Sequence, residues 1–186
     1  MVRDYTALHK YTTPKYSLCC KDGIAGAINF LEANPEIDIV LAQAKDETGK
    51  LRKNYFSKVT PLRLTNSARA ATYEMIIRLE SFTRGKVRFD ENFGAGANFY
   101  LGDEYIFIAD AIRAGHKGVH LPMVVAIHPS ESSGSRWGTE RDLAARAQVF
   151  SRVFGWKAPI YRLAFLLRGN NPFPGVLKAI RFVVNR

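Results

Sequence analysis

Between Val87 and His128 the chain runs through a series of parts that limits its fold more than any other stretch. A glycine-rich turn, Phe93-Gly94-Ala95-Gly96-Ala97, comes first. The acidic pair Asp103-Glu104 follows and opens an apolar helical run. A second glycine turn and a short strand come next, and the strand ends on a single imidazole, His128. Ile106, Phe107, Ala109, Ala111 and Ile112 form one stripe, so the spacing predicts a helix over 103–114. Gly115 suits its C-terminal cap. Residues 118–127 read as a strand, with Pro122 marking an edge or a bend. This order places a carboxylate and an imidazole at the edges of one sheet.

Elsewhere the same alternation continues. Ile24, Ala27, Ile28 and Leu31 give helical spacing over 23–33, and Asn34-Pro35 stops that helix because a residue before proline avoids the α region. Residues 37–44 read as a strand, 46–50 as a polar turn, and Leu51–Phe56 as a partner strand. Thr72–Leu79 suits a strand but also admits a helix, and residues 81–85 form a short helical turn. Thr139–Trp156 is helical, and two short segments, 159–167 and 174–184, close the chain. Helices alternating with strands imply an α/β fold with a mixed sheet flanked by helices. The expected division is an α/β domain over 1–138 and a basic helical tail over 139–186.

Hydrophobic residues at 47% and aromatic residues at 12% suit a globular chain rather than a disordered one. Cys19 and Cys20 are neighbours and seldom bridge each other, which suggests a reducing, cytoplasmic setting. No apolar run is long enough to cross a bilayer. The net charge of +10 is uneven. Residues 141–186 hold nine Lys or Arg against one acid, Asp142, and so carry +8 of it. An anionic surface, a diphosphate or nucleic acid would meet such a tail. Val176, Leu177, Ile180, Phe182, Val183 and Val184 beside Lys178, Arg181 and Arg186, and Leu163, Phe165, Leu166 and Leu167 beside Arg162 and Arg168, suit an anionic membrane surface. No nucleic-acid motif is present, and nucleic acid is not an expected partner.

Adjacent acids at a helix start ordinarily cap it. Behind a glycine turn, one of them can instead accept the proton of an attacking hydroxyl. Glu104 is the first choice for that base and Asp103 the second. Gly94 and Gly96 either make a plain turn or let a ligand approach the backbone. His128 suits a divalent metal where carboxylates complete the shell, whereas His9, His116 and His120 read as structural. Ser130–Trp137 reads as a connector or as a lid, with Arg136 contacting a diphosphate and Trp137 shielding it.

Taken together, Phe89-Asp90-Glu91-x-Phe93-Gly94-x-Gly96, Gly102-Asp103-Glu104-x-x-Phe107, Ala114-Gly115-His116-Lys117, Pro122 and His128 resemble the C-terminal half of a family 2, inverting, A-type-fold glycosyltransferase. The resemblance covers residues 24–137. It implies a general base in the acidic pair, and a later His that helps hold Mg²⁺ or Mn²⁺ on the donor diphosphate. The donor would be a nucleotide-sugar and the acceptor a glycan or a lipid-linked hydroxyl. Surface polysaccharide synthesis at the inner face of the cell membrane is the implied setting. The family's nucleotide-binding half and its Asp-x-Asp motif have no counterpart here. Glu36-Ile37-Asp38 comes nearest, and it alternates within a strand as a structural segment would. The chain therefore reads as a truncated enzyme, a fragment of a split reading frame or a protein that has lost activity. In that case the cation is weakly held or absent, and the alternative is a non-catalytic acceptor- or membrane-surface-binding domain.

Overall fold

A computed structural model describes residues 18–83, 87–129, 137–168 and 171–185. They form two compact units. The first takes residues up to 88 together with 107–130, and the second takes 89–106 with 131–186. Residues 89–106 therefore group with the C-terminal helices.

The first unit is built on a mixed sheet. Its strands are β1 (Leu18–Cys19), β2 (Ile39–Lys45), β3 (Thr60–Pro61), β4 (Met75–Ile77) and β5 (Gly118–Ile127). The order is β1-β5-β2-β4, with β3 also paired to β5. β2 runs parallel to β5 and antiparallel to β4. Every residue of β2 from Ile39 to Ala44, the polar Gln43 included, is buried, as in a strand covered on both faces. On one face α1 (Lys21–Ala33) supplies Ala27 and Leu31 to a core with Val40, Ala42, Ile76, Val119 and Leu121. The helix lies very close to β5: a Cβ at Gly23 would stand 1.8 Å from the Val124 carbonyl oxygen.

The end of α1 is held by one buried cation. Arg78 donates from its guanidinium to the carbonyl oxygens of Leu31 at 2.6 Å, Ile37 at 3.3 Å and Asn34 at 3.4 Å. Leu31 and Asn34 also accept backbone N–H groups within the turn, at 3.3 and 3.0 Å, so Arg78 adds a second donor to carbonyls at a helix end. Asp38 takes a comparable place at the start of β2. It accepts from Ser81 and lies 3.0 Å from His116 Nδ1, while the His116 ring stacks on Phe82 at 4.3 Å. Asp38, just before β2 and not within it, thus ties the strand's start to Ser81 and His116. His120 lies against Phe56, its ring 4.6 Å away, and burial lowers its proton affinity.

Two strand expectations change. Leu51–Phe56 forms one bridge, Leu51 to Lys45, and then leaves the ladder. Side chains replace the ladder there: the Tyr55 hydroxyl accepts from the Ala44 amide at 3.1 Å, and Gln43 Nε2 donates to the Phe56 carbonyl at 3.2 Å. Thr72–Leu79 divides into a 3₁₀ turn over Thr72–Glu74, the three-residue β4, and the start of α2 (Leu79–Thr83). Pro122 marks a bend and not an edge, since β5 is flanked by β2 on one side and by β1 and β3 on the other. It falls between the residues paired to β3 and those paired to β1, so its missing N–H deprives neither strand. On the β2 side it sits where the register shifts from Leu41–His120 to Gln43–Val124, an irregularity that suits proline.

The second unit contains the first turn of α3 (Asp103–Arg113), then α4 (Glu140–Phe154), α5 (Ala158–Leu167) and α6 (Val176–Val184). α4 opens with a capping box: the Thr139 hydroxyl accepts from the Asp142 amide, and the Asp142 carboxylate accepts from the Thr139 amide. Leu143, Ala147 and Phe182 form the core of this helical unit, packed by Phe150, Phe165 and Trp137. Among the described residues no helix is long and apolar enough to cross a membrane.

Candidate functional site

The acid pair begins α3 directly behind the glycine bend. Gly94 and Gly96 both have positive φ, 103° and 85°, a region in which a side chain is strained. The bend closes on itself through Gly94 N–H to the Phe99 carbonyl at 2.8 Å and Ala97 N–H to the Gly94 carbonyl at 3.1 Å. The Phe93 and Phe99 rings lie 5.2 Å apart beside it. A Cβ on Gly94 would stand 2.7 Å from Asp103 Oδ2. The group that needs the bare Gly94 backbone is therefore the Asp103 carboxyl. A Cβ on Gly96 would meet no described atom within 4 Å, so that turn of the bend keeps open space beside it.

Asp103 is an unusual acid. Burial, and then the negative charge and hydrogen bond of Glu104, push its pKa up to about 7. The positive end of α3 and the backbone N–H groups at Asp103 and Glu104 pull the other way without offsetting the rise. Two adjacent carboxyls that cannot both ionise at no cost hold a proton between them. Such a pair can take up and release a proton near neutrality, which a lone exposed carboxylate cannot.

The surrounding segment is braced within its unit. Tyr100 donates to Asp142, which also belongs to the capping box of α4. Arg152 Nε donates to Asp90 Oδ2 at 3.0 Å. Gly102, also at positive φ, leaves no room for a Cβ against Val149 Cγ2 at 2.4 Å. The start of α3 is thereby fixed against α4.

His128 belongs to the first unit, just beyond β5. Its amide donates to the Lys45 carbonyl at 2.9 Å, which continues the parallel pairing of β2 and β5 by one residue. Nδ1 lies 2.9 Å from the Pro129 carbonyl oxygen. A carbonyl can only accept, so Nδ1 carries the hydrogen of this contact. The ring stacks on Tyr73 at 4.2 Å. Among the described residues no three His, Cys, Asp or Glu side chains gather as a ligand set. His128 is a single donor, and these residues do not by themselves fit a divalent-cation shell.

Beside His128 is a cluster that the sequence reading missed. Lys53 Nζ lies 2.7 Å from Glu74 Oε2, and the Tyr55 hydroxyl donates to Glu74 Oε1 at 2.6 Å. Arg52 donates to the Tyr73 hydroxyl, and its guanidinium lies 5.4 Å from that ring. Burial lowers the proton affinity of Lys53 against the opposing pull of Glu74. Burial, and then the charge of Glu74, raise that of Tyr55. The cluster stands where the parallel strands β2 and β5 end, the side of a sheet at which α/β proteins place ligands. The sequence signal was the two adjacent cations followed by aromatics in Arg52-Lys53-Asn54-Tyr55-Phe56, which a strand assignment hid.

Trp137 is held inside the helical unit. Its Nε1 donates to the Pro172 carbonyl at 2.7 Å, and its ring meets Phe165 and Phe182 edge-on at 5.6 and 6.5 Å. Arg136, with the rest of the expected lid over 130–136, lies outside the described residues. The fold therefore brings Phe93, Gly94, Gly96, Asp103 and Glu104 into one neighbourhood of the second unit, and His128 into the first. No protein-family model, curated protein or solved structure significantly matches the chain.

Proposed function

We propose that the acid pair is a proton-accepting site for a hydroxyl group, and that the chain is glycosyltransferase-like. The observation that carries this reading is the raised proton affinity of Asp103 beside Glu104 at the glycine bend. In this reading Asp103 keeps the shared proton while Glu104, as carboxylate, takes the proton of the acceptor hydroxyl. The hydroxyl oxygen forms a bond to the anomeric carbon of a nucleotide-sugar. The bond from that carbon to the diphosphate oxygen breaks on the opposite face and the diphosphate leaves with the electron pair, so the carbon inverts. The nucleotide-sugar donor, the glycan or lipid-linked acceptor and the place in surface polysaccharide synthesis rest on the sequence motifs alone. The open space beside Gly96 suits the approach of a bulky acceptor.

The test is release of nucleoside diphosphate from UDP- and GDP-hexoses with Mg²⁺ or Mn²⁺ present, together with calorimetric donor binding. Glu104→Gln should lower turnover by roughly 10² to 10⁴, the usual contribution of a general base, with donor affinity unchanged. Unchanged turnover removes Glu104 from the role, and failure of every nucleotide-sugar to bind removes the transferase reading.

A further inference from the structure

The outward faces of α5 and α6 are as apolar as their inward faces. Inward, Ala158, Phe165 and Leu166 of α5 and Ala179 and Phe182 of α6 are buried or packed in the helical core. Arg162, also buried, donates to the Ala147 carbonyl at 3.0 Å and to the Val183 carbonyl at 2.8 Å. It thereby ties α5 to both neighbouring helices. Outward, Trp156, Ile160, Leu163 and Leu167 recur at intervals of three and four residues, which places them along one side of α5 and the turn before it. All are exposed, Trp156 at 84% and Leu167 at 76%. On α6 the same holds for Val176, Leu177, Ile180 and Val184, with Val176 at 69%, and Phe173 on the connection between the helices adds to them. A helix that is apolar all round does not normally stop at water, and one that buries one apolar stripe while presenting another is short of a partner.

Charge identifies the partner. From residue 143 to the end the chain has eight Lys or Arg and no Asp or Glu. Lys157 and Arg168, at the two ends of α5, are exposed. Lys157 Nζ stands 5.2 Å from the Trp156 ring, pairing a cation with the aromatic that prefers the boundary between hydrocarbon and headgroups. A second copy of the chain would bring Lys157 and Arg168 against the same exposed cations of its partner. A nucleic acid would meet aliphatic side chains where it needs polar ones. We propose that the α5–α6 pair docks flat on an anionic lipid bilayer, with the two outward stripes in the acyl boundary and Lys157 and Arg168 among the headgroups. At ten and nine residues the helices are too short to span it. Apolar insertion with cationic attraction is the combination that holds a peripheral helix. The docking stands independently of the chemistry at Asp103 and Glu104.

Flotation of the full chain with phosphatidylcholine vesicles, with and without phosphatidylglycerol, tests it. Binding should require the anionic lipid, weaken with added salt and shift Trp156 emission to the blue. The double change Leu167→Ser and Ile180→Ser should lower the bound fraction about tenfold or more. Lys157→Ser with Arg168→Ser should lower it by a similar factor on anionic vesicles. These side chains are exposed, so circular dichroism should be unchanged in each variant. Absence of vesicle binding by the unaltered chain overturns the proposal, as does binding that survives Leu167→Ser with Ile180→Ser. A dimer in the ultracentrifuge that the same pair of changes dissolves, without vesicle binding, assigns the face to a second copy instead.

Discussion

Replacing Asp103 by Asn should make stability less dependent on pH in a direction that is uncommon for an aspartate. In the folded chain burial and Glu104 raise this carboxyl from its ordinary 3.8 to about 7. Between those values the folded chain holds a proton that the unfolded chain has released. The contribution is fully present below the unfolded pKa and is lost as pH climbs through about 7. Most aspartates behave in the opposite way. At full strength such a rise is worth ~4 kcal/mol. Asp103 keeps part of its surface in water, so screening leaves ~1–2 kcal/mol. Asparagine has nearly the same shape and no charge at any pH, so it does not lose this contribution. Urea unfolding of the unaltered chain and of Asp103→Asn, at about pH 5 and about pH 8, separates the acid pair from the titrating groups elsewhere in the chain. Part of the contribution is already lost at pH 5, so the variant should gain ~1 kcal/mol on the unaltered chain between the two conditions. Parallel stabilities, or a relative gain by the unaltered chain as pH rises, would show that the acid pair does not hold the proton as described.

Three further outcomes follow from local geometry. Gly94→Ala combines a positive φ with a clash against Asp103 and should cost about 2–3 kcal/mol, against about 1 for Gly96→Ala, as measured by thermal unfolding; carbon-detected titration should also show the Asp103 carboxyl moving in the Gly94 variant alone. Glu74→Gln removes the charge that pairs buried Lys53 and should destabilise the chain by about 3 kcal/mol in urea. Arg78→Met leaves the carbonyls of Leu31, Asn34 and Ile37 without their guanidinium donor; a loss of about 2–3 kcal/mol is expected, with faster hydrogen exchange in the last turn of α1.

The parts of the fold that were legible in the sequence are those with a sustained period. The α1 spacing buries Ala27 and Leu31 and leaves Ile24 and Ile28 half-buried, β2 buries its apolar residues together with Gln43, and the α3 stripe is buried from Ile106 to Ala111 with Ile112 half-buried. β5 keeps the expected bounds, Gly118 to Ile127. Where side chains replace backbone pairing, the pattern misled. Residues 51–56 carry strand-forming Tyr and Phe, yet Tyr55 uses its hydroxyl on Ala44 and Glu74 and the backbone leaves the ladder. Glu74 is 19 residues from Tyr55 and 21 from Lys53, and no local period reports contacts at that distance. The acid pair was legible because a glycine bend and two carboxylates stand close together in the chain. The physical reason for the glycine was not, since only coordinates show that Asp103 occupies the space above Gly94.

Pro122 has a consequence for mispairing. A two-residue slide of β2 along β5 preserves which side chains face each side of the sheet, so burial alone discriminates poorly against it. Pro122 lies opposite the irregular stretch between Leu41 and Gln43, and such a slide would set the extra residues of β5 there against a regularly paired stretch of β2. The irregular stretch acts as a key cut for a single alignment, favouring the correct pairing of two strands separated by more than seventy positions in the chain.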